Sequence, residues 1–595
     1  MLVGVDAGGT FTDLVDDTGR VVKVSSTPGD PGRAVRDALR ADGDTRPDLL
    51  AHGTTVATNA LLERRGGRVA LVTTRGFADV IEIARQTRPS LYDQHADRPV
   101  PLVPRDLRLE VGGRLDGTGA ELEPVDLGSL PAIPGDVDAV AVCLLHADLN
   151  PAHEQAVARV LRERGIDVTC SHEVSPEMRE YERTVTTVAN ATLRPRCRTY
   201  LRELVPLATD VLVMTSAGGL VPADVAAELP AALLLSGPAG GARAAAAIAA
   251  GCGFRDAVGF DMGGTSTDVC LVRGGLPEPA AERVVAGFPI RIPALDVHTI
   301  GAGGGSIARI DAGGSLVVGP RSAGAQPGPA CYGRGGTEPT VTDADLLLGR
   351  IDPDATFPDL GRLDRHAAAG AMARAGIEPD GVVAVVDAAM EAAVRVVTVS
   401  RGVDPRGLAL VAFGGAGPLH GCAVAEALDM EAVIVPPRAG VLSAVGLLVS
   451  PRQRELVRSW PAPADHDVAA AAALLVDDAR ALVGEGADGA AFVDCRYAGQ
   501  SHALTVTSVD AFHAEHERRN GFARPDAPVE VVALRARATR PSPTAVGALP
   551  EPSRPVVIGP QAVAEPDCTV WVPDGWAASP GPLGAWILRR RGERA

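Results

Sequence analysis

The sequence predicts an α/β protein with two related halves and a small α+β domain at its C-terminal end. Three observations carry this prediction. The octapeptide pattern D-x-G-G-T-x-T-D occurs twice, at residues 6–13 and 261–268, so that Asp261 follows Asp6 by 255 positions. Each copy sits between two short apolar strands, and strand and helix patterns alternate onward from each. After "SWPAPADHD" (459–467) the character changes to one helix and then alternating strands. These features divide the 595 residues at 1–200, 201–458 and 459–595.

The elements follow in order. "LVGVD" is a short strand, "AGGTFTD" a turn, and "LVDDTGRVVKVSS" a strand, an Asp-Thr-Gly turn and a strand. "DPGRAVRDALRA" is a helix with Asp30 as its N-cap and Pro31 at its first position. "LLAHGTTVATNALLERRGG" reads as strand, turn and helix, stopped at Gly66. "RVALVTT" is a strand, and residues 85–134, rich in Pro and Gly, read as irregular. "VDAVAVCLLH" is a buried strand, "PAHEQAVARVLRERG" an amphipathic helix, and "REYERTVTTVANATLRPRCRTYLREL" a helix bent at Pro195. "DVLVMTSAGG" opens the second run, followed by an Ala-rich helix over 239–250. "AVGFDMGGTSTDVCLVRGG" then repeats the opening plan. A long helix over 380–402 precedes "GLALVAFGGAGPLHG", a strand, a glycine turn and a helix start. The tail holds a helix and strands such as "HALTVTS" and "VEVVALRARA".

Composition excludes several functions. Net charge is −17 with no long Lys/Arg run, which argues against a nucleic-acid or anionic-membrane surface. Aromatics are only 3%, too few for base stacking. Small anions stay possible, because backbone N–H groups and a metal hold them whatever the net charge. Nine scattered cysteines without a CxxC pair read as reduced core thiols. The N-terminus lacks a basic region and a long apolar stretch, and the apolar runs are short or broken by Gly or Pro. A cytoplasmic protein without a membrane span is expected.

The repeated octapeptide has a definite chemical use. Its glycines let the backbone approach a ligand, and successive N–H groups form a nest for phosphate oxygens. The acid at the strand end can hold Mg²⁺ or its waters, or orient an attacking water. Two copies could grip one nucleotide polyphosphate from both sides. Asp6 and Asp261 are therefore the expected catalytic and metal-facing acids. Gly8, Gly9, Thr10 and Thr12, with Gly263, Gly264 and Thr265, are the expected phosphate contacts. For Asp13 and Asp268, capping and catalysis both stay open. A third turn, Gly414-Gly415-x-Gly417, lies between a strand and a helix. In this order it fits an adenosine-binding loop, although alone it is a weak signal.

Two phosphate hairpins followed by an adenosine loop resemble the plan of the actin-like (ribonuclease H-like) ATPase superfamily, which binds ATP between two related α/β domains. Longer stretches narrow the resemblance. They include "HGTTVATNALLERRG", "TRGFADVIEIARQTRPSLYD", "SPEMREYERTVTTVANATLRP", "SGPAGGA", "HTIGAGGGSIA", "VGPRSAGAQPGPACYGRGGTEPTVTDADLLLGR" and "PPRAGVLSAVGLL". Together they resemble the hydantoinase A / 5-oxoprolinase family, which also contains the acetone carboxylase β subunit. The tail resembles that family's small C-terminal domain in "CRYAGQSHALTV" and "VWVPDGW". The resemblance implies ATP and Mg²⁺ as cofactors and a cyclic amide or imide as substrate, such as a hydantoin, 5-oxoproline or another lactam. Phosphorylating the amide oxygen makes it a leaving group, so that water can open the ring. It also implies a separate hydantoinase B-type partner and a hetero-oligomer.

His52 heads "HGTT", where Thr54, Thr55 and Asn59 form a cluster able to bind a cyclic amide. His52 is thus a catalytic or substrate candidate, although a lone histidine at a strand end is also the mark of a satisfied core residue. His298, before "TIGAGGGS", either faces the same cleft or buttresses the glycine loop. Arg85 and Arg88 read as solvated, His420 as packing at a helix start, and Cys331 as a buried thiol. Two other readings stand beside ring hydrolysis: an acetone carboxylase-type subunit activating a ketone or bicarbonate with ATP, and a nucleotide-gated scaffold like the heat-shock ATPases.

Overall fold

The computed structural model describes residues 1–592 apart from 10, 28, 44, 281, 358–359 and 461–466. In the first half, strands Leu2–Ala7, Phe11–Asp16 and Val21–Ser25 form an antiparallel meander. Helix Pro31–Asp42 follows; the Asp30 side chain accepts from the Arg33 N–H and Pro31 stands at the helix start, as the sequence predicts. Strand Leu49–Thr54 returns parallel to Leu2–Ala7, and Asp210–Met214 lies parallel beyond it.

The second half repeats this order. Ala257–Met262, Thr267–Arg273 and Leu276–Pro277 form the meander. Ala409–Phe413 lies parallel to the first of these, and Ala432–Val435 parallel beyond it. Both sheets thus run third, second, first, fourth, fifth, with the same pairing directions. The fold is α/β with two actin-like domains.

Several elements differ from the sequence reading. Residues between Leu49–Thr54 and Asp210–Met214 carry a separate five-stranded sheet: Glu121–Asp126, Arg108–Leu115, Val69–Thr74, Ala139–Cys143 and Val168–Cys170. Two of its strands fall in the stretch read as irregular. Arg108–Leu115 is held by parallel pairing to Val69–Thr74, a distant partner, and is bulged around Gly112 and Arg114. Helix Val56–Leu62 ends four residues before Gly66. Helix Glu180–Leu204 is a single element through Pro195.

The domain limits also move. Residue 200 falls inside that helix, and Asp210–Met214 completes the first sheet. Strand Arg452–Ser459 precedes the expected boundary at 459 but pairs with Val529–Arg540 of the tail, and residues 461–466 lie outside the described residues. Strands Arg452–Ser459, Val529–Arg540, Asp488–Tyr497 and Leu504–Val506 extend the first sheet through Leu220–Pro222. Helices Val468–Val483 and Phe512–Asn520 cover them around Leu475, Tyr497, Phe512 and Leu534, a small α+β core of its own. The last strands, Val557–Ile558, Trp576–Pro580 and Trp586–Arg590, instead join the second sheet beside Ala432–Val435.

Two helices join the halves. Gly237–Gly251 carries "GPAGGA", and Leu442–Val449 carries "LSAVGLL". They cross where Gly446 meets the backbone of Gly240; a side chain on Gly446 would strike that backbone. Leu442–Val449 also lies against Leu2–Ala7, at Gly4. Among the described residues no helix is long and apolar enough to cross a membrane.

Candidate active site

The two octapeptides make the same turn. The Gly8 N–H donates to the Phe11 carbonyl at 3.0 Å, and the Gly263 N–H donates to the Ser266 carbonyl at 3.0 Å. This closure places the two acids of each repeat directly opposite each other: Asp6 faces Asp13, and Asp261 faces Asp268. A residue on a further strand paired with the hairpin's second strand completes each row. Lys23 faces Asp13 and its ammonium donates to that carboxylate at 2.6 Å. Thr299, on strand Val297–Ile300, faces Asp268, and its hydroxyl donates at 2.5 Å. Sequence reasoning missed both partners: Lys23 is set by the register of the next hairpin, and Thr299 lies 31 residues beyond Asp268.

The leading acids are electrostatically exposed to one another. Burial, then the charge of Asp13, pushes the Asp6 carboxyl up to about 7, against the pull of Lys23. Burial, then Asp268 and Asp6, pushes Asp261 up to about 8, against a bond from the Ser443 hydroxyl at 3.5 Å. Burial also raises Asp13 and Asp268, opposed by Lys23 and Thr299 respectively. Asp6 and Asp261 come from different repeats; helix Leu442–Val449 lies against strand Leu2–Ala7 and its Ser443 reaches Asp261, which brings the two hairpins together and lets the Asp6 charge raise Asp261. Facing carboxylates that burial and repulsion drive toward neutrality are a donor set that a divalent cation satisfies.

Each turn has its own backing. Ser26 donates to the Gly8 carbonyl at 2.7 Å and meets the Thr12 hydroxyl at 3.1 Å, so buried Thr12 is engaged inside its hairpin. The "GAGGGS" loop backs the second turn: the Gly304 and Gly305 N–H groups donate to the carbonyls of Gly263 and Gly264 at 3.0 and 2.7 Å. Gly264 and Thr265 stay exposed at the tip. Thr10 lies outside the described residues.

The third glycine turn joins the second hairpin. Gly414 has φ +78°, and a side chain there would strike the Asp261 carboxylate. Its N–H donates to the Ala439 carbonyl at 2.9 Å, and the Ala416 N–H donates to the Met262 carbonyl at 2.9 Å. Gly415 is open to solvent, and Gly417 begins helix Gly417–Ala427. The turn and the helix start therefore lie against the strand end that carries Asp261.

The remaining candidates divide. Thr55 and Asn59 line a cavity of about 110 Å³ with Gly8, Gly9 and Thr12. Thr54 is buried and accepts from the Val56 N–H at 3.2 Å. His52 is fully buried, with Nδ1 3.1 Å from the Val5 carbonyl and Nε2 2.7 Å from the Tyr200 hydroxyl. Nδ1 therefore carries the proton and Nε2 accepts from Tyr200, while burial lowers the ring to about 4. The expected catalytic or substrate role of His52 does not fit this placement: neither ring nitrogen is free. His298 pairs with Val269 in the register that sets Thr299 against Asp268. Neighbours on a strand point to opposite faces, so His298 lies on the face away from Asp261 and Asp268.

Arg85 is not simply solvated, against the sequence expectation, while His420 and Cys331 are buried as expected. Arg85 forms a two-pronged ion pair with buried Glu182. His420 is buried between Asp345 and Asp387, whose charges hold it protonated and raise it to about 10. Burial pushes the Cys331 thiol up. The cysteines are unpaired, and all but Cys252 are buried.

Comparison with known proteins gives two matching family models. The hydantoinase/oxoprolinase N-terminal region matches residues 2–165, and hydantoinase/oxoprolinase matches 183–455. The chain is 34% identical to the caprolactamase subunit alpha of Pseudomonas jessenii, over 98% of each chain. It is 34% identical to the acetophenone carboxylase gamma subunit of Aromatoleum aromaticum, over 75% of this chain and 67% of that one. The crystal structure of the ATP-dependent caprolactamase from Pseudomonas jessenii superposes with a TM-score of 0.88 at 30% identity, covering all of both chains.

Proposed function

The chain belongs to the hydantoinase/oxoprolinase family, and from that premise we propose that it is the ATP-using subunit of an enzyme that opens a cyclic amide. One observation carries the reading: two copies of one phosphate-type hairpin meet at helix Leu442–Val449, which lies against the strand of Asp6 and sends Ser443 to Asp261, beside a third glycine turn. Its likeness to an ATP-dependent caprolactamase supports a lactam as the ring class.

In this reading the N–H groups of Gly9 and Gly264, next to the Gly8 and Gly263 N–H groups that close the two turns, hold the phosphates, and the Gly414–Gly417 turn receives the adenosine. Thr12 supports the first turn from inside. Asp6 and Asp261 are the residues that would hold Mg²⁺, whose bound charge offsets the phosphate oxygens. Thr55 and Asn59 face the ring from the cavity beside Gly8 and Gly9. The amide oxygen takes the γ-phosphoryl group and ADP leaves. Water adds to the activated carbon and the C–N bond breaks, the ring nitrogen taking a proton and leaving an acyl phosphate; a second water then releases phosphate and the carboxylate. Lactam, ATP and two waters thus become amino acid, ADP and phosphate. An amide is a poor electrophile, and this exchange converts its oxygen into a leaving group.

In this reading a hydantoinase B-type partner completes the enzyme; the names of two relatives, a subunit alpha and a gamma subunit, support a multi-subunit assembly. The reduced thiols fit a cytoplasmic setting. A second reading has an observation behind it: the likeness to an acetophenone carboxylase subunit suits phosphorylation of a ketone enolate or bicarbonate. The test is ADP release by the chain, purified with its neighbour-encoded partner, against lactams, hydantoins and ketones with bicarbonate. Ring-dependent release is expected. Release that requires a ketone and bicarbonate, or that ignores every ring, would overturn the hydrolase reading.

A further inference from the structure

A hairpin near the C-terminal end reaches toward the cleft. Strands Gln561–Ala564 and Thr569–Val572 pair antiparallel, and their tip closes where the Glu565 N–H donates to the Cys568 carbonyl at 2.9 Å. The tip is anchored from behind. The Arg554 guanidinium stacks 4.2 Å over Trp586 and donates to the Val435 carbonyl at 2.8 Å and to Glu565 at 3.3 Å. At the tip, half-buried Asp567 accepts from the Gly440 N–H at 2.7 Å.

Gly440 stands two residues before helix Leu442–Val449, so the Asp567 carboxylate sits at that helix's positive end. The same short segment serves the site twice. The Ala439 carbonyl receives the Gly414 N–H, and Ser443 donates to Asp261. On its other side Asp567 lies within electrostatic reach of Asp13 and Lys23 in the first hairpin. One carboxylate from the C-terminal segment therefore touches the loop that orients Gly414 and Ser443 and also faces the charge pair of the opposite half.

We propose that Asp567 is a positioning residue of the nucleotide site: by holding the Ala439–Gly440 peptide it aims Gly414 and Ser443 at Asp261. The inference rests on the ATP-cleft reading above. The C-terminal segment is then a third contributor to a site otherwise built from the two repeats. Positioning partners of this kind typically cost about 10–100-fold when removed.

The test compares Asp567→Ala with Asp567→Asn, which keeps an acceptor for the Gly440 N–H and loses the charge. Hydrogen exchange is followed in the ATP-free protein, and kcat/KM for ATP is measured with partner and lactam present. In Asp567→Ala, faster exchange confined to residues 439–447 is expected, with kcat/KM lower by about 10–100-fold. Asp567→Asn is expected to restore most of both. Unchanged exchange at 439–447 overturns the inference. So does exchange that rises equally over 561–572 and the core, because that marks a structural role alone. If the wild-type protein shows no ring-dependent ADP release, the functional reading fails, while the exchange pattern still decides the role of Asp567.

Discussion

Asp6 and Asp13, like Asp261 and Asp268, stand opposite each other in antiparallel pairs, where like charges destabilise a sheet. Lys23 and Thr299 relieve the outer acids, and the inner acids keep raised pKa values of about 7 and 8. A carboxyl whose folded pKa is raised gives stability that is complete below its unfolded value, 3.8, and is lost as pH rises through the folded values. The ligand-free protein is therefore expected to lose stability between about pH 4 and pH 8 more steeply than Asp261→Asn, by chemical denaturation at each pH. Mg²⁺ at high pH is expected to raise the wild-type melting temperature more than that of the variant. Parallel pH profiles for the two proteins would contradict the cleft electrostatics. The acids were legible because their spacing, with Gly-Gly between, dictates a turn that pairs them. The histidines were not. His52 pairs with Val5 and His298 with Val269, one residue out of phase with the acid rows. A one-residue change of phase reverses the face of a strand, and that register depends on partners dozens of residues away.

At the scale of elements, the crossing of helices Gly237–Gly251 and Leu442–Val449 sets the distance between the halves and carries Ser443 to Asp261. The crossing closes on Gly240 and Gly446 with no room for a side chain. Gly446→Val is expected to cost about 1–3 kcal/mol through overpacking, read as a lowered denaturant midpoint at unchanged slope. A midpoint equal to wild type would contradict so tight a contact. The helix starting at Pro31 was legible because its cap and first-turn proline are local signals. Strand Arg108–Leu115 was not, since its glycines depress strand propensity and its pairing with Val69–Thr74 is long-range. The reason for the glycines in "SGPAGGA" and "PPRAGVLSAVGLL" was equally hidden, because it is the approach of one helix to another.

The molecule as a whole is a duplicated five-strand plan with additions on both sheets. The duplication was legible because the same octapeptide opens both halves. The additions were not: strand Arg452–Ser459 extends the first sheet and Trp586–Arg590 the second, and edge pairing of this kind leaves no local mark. The central claim is that the two repeats form one nucleotide site. Its most direct test is a crystal structure with Mg²⁺ and a non-hydrolysable ATP analogue. The account predicts phosphate oxygens at hydrogen-bond distance, about 2.7–3.2 Å, from the backbone N–H groups of Gly9 and Gly264 at once. It also predicts the adenosine against the Gly414–Gly417 turn. A nucleotide bound to only one of the hairpins, or outside the cleft between them, would contradict it.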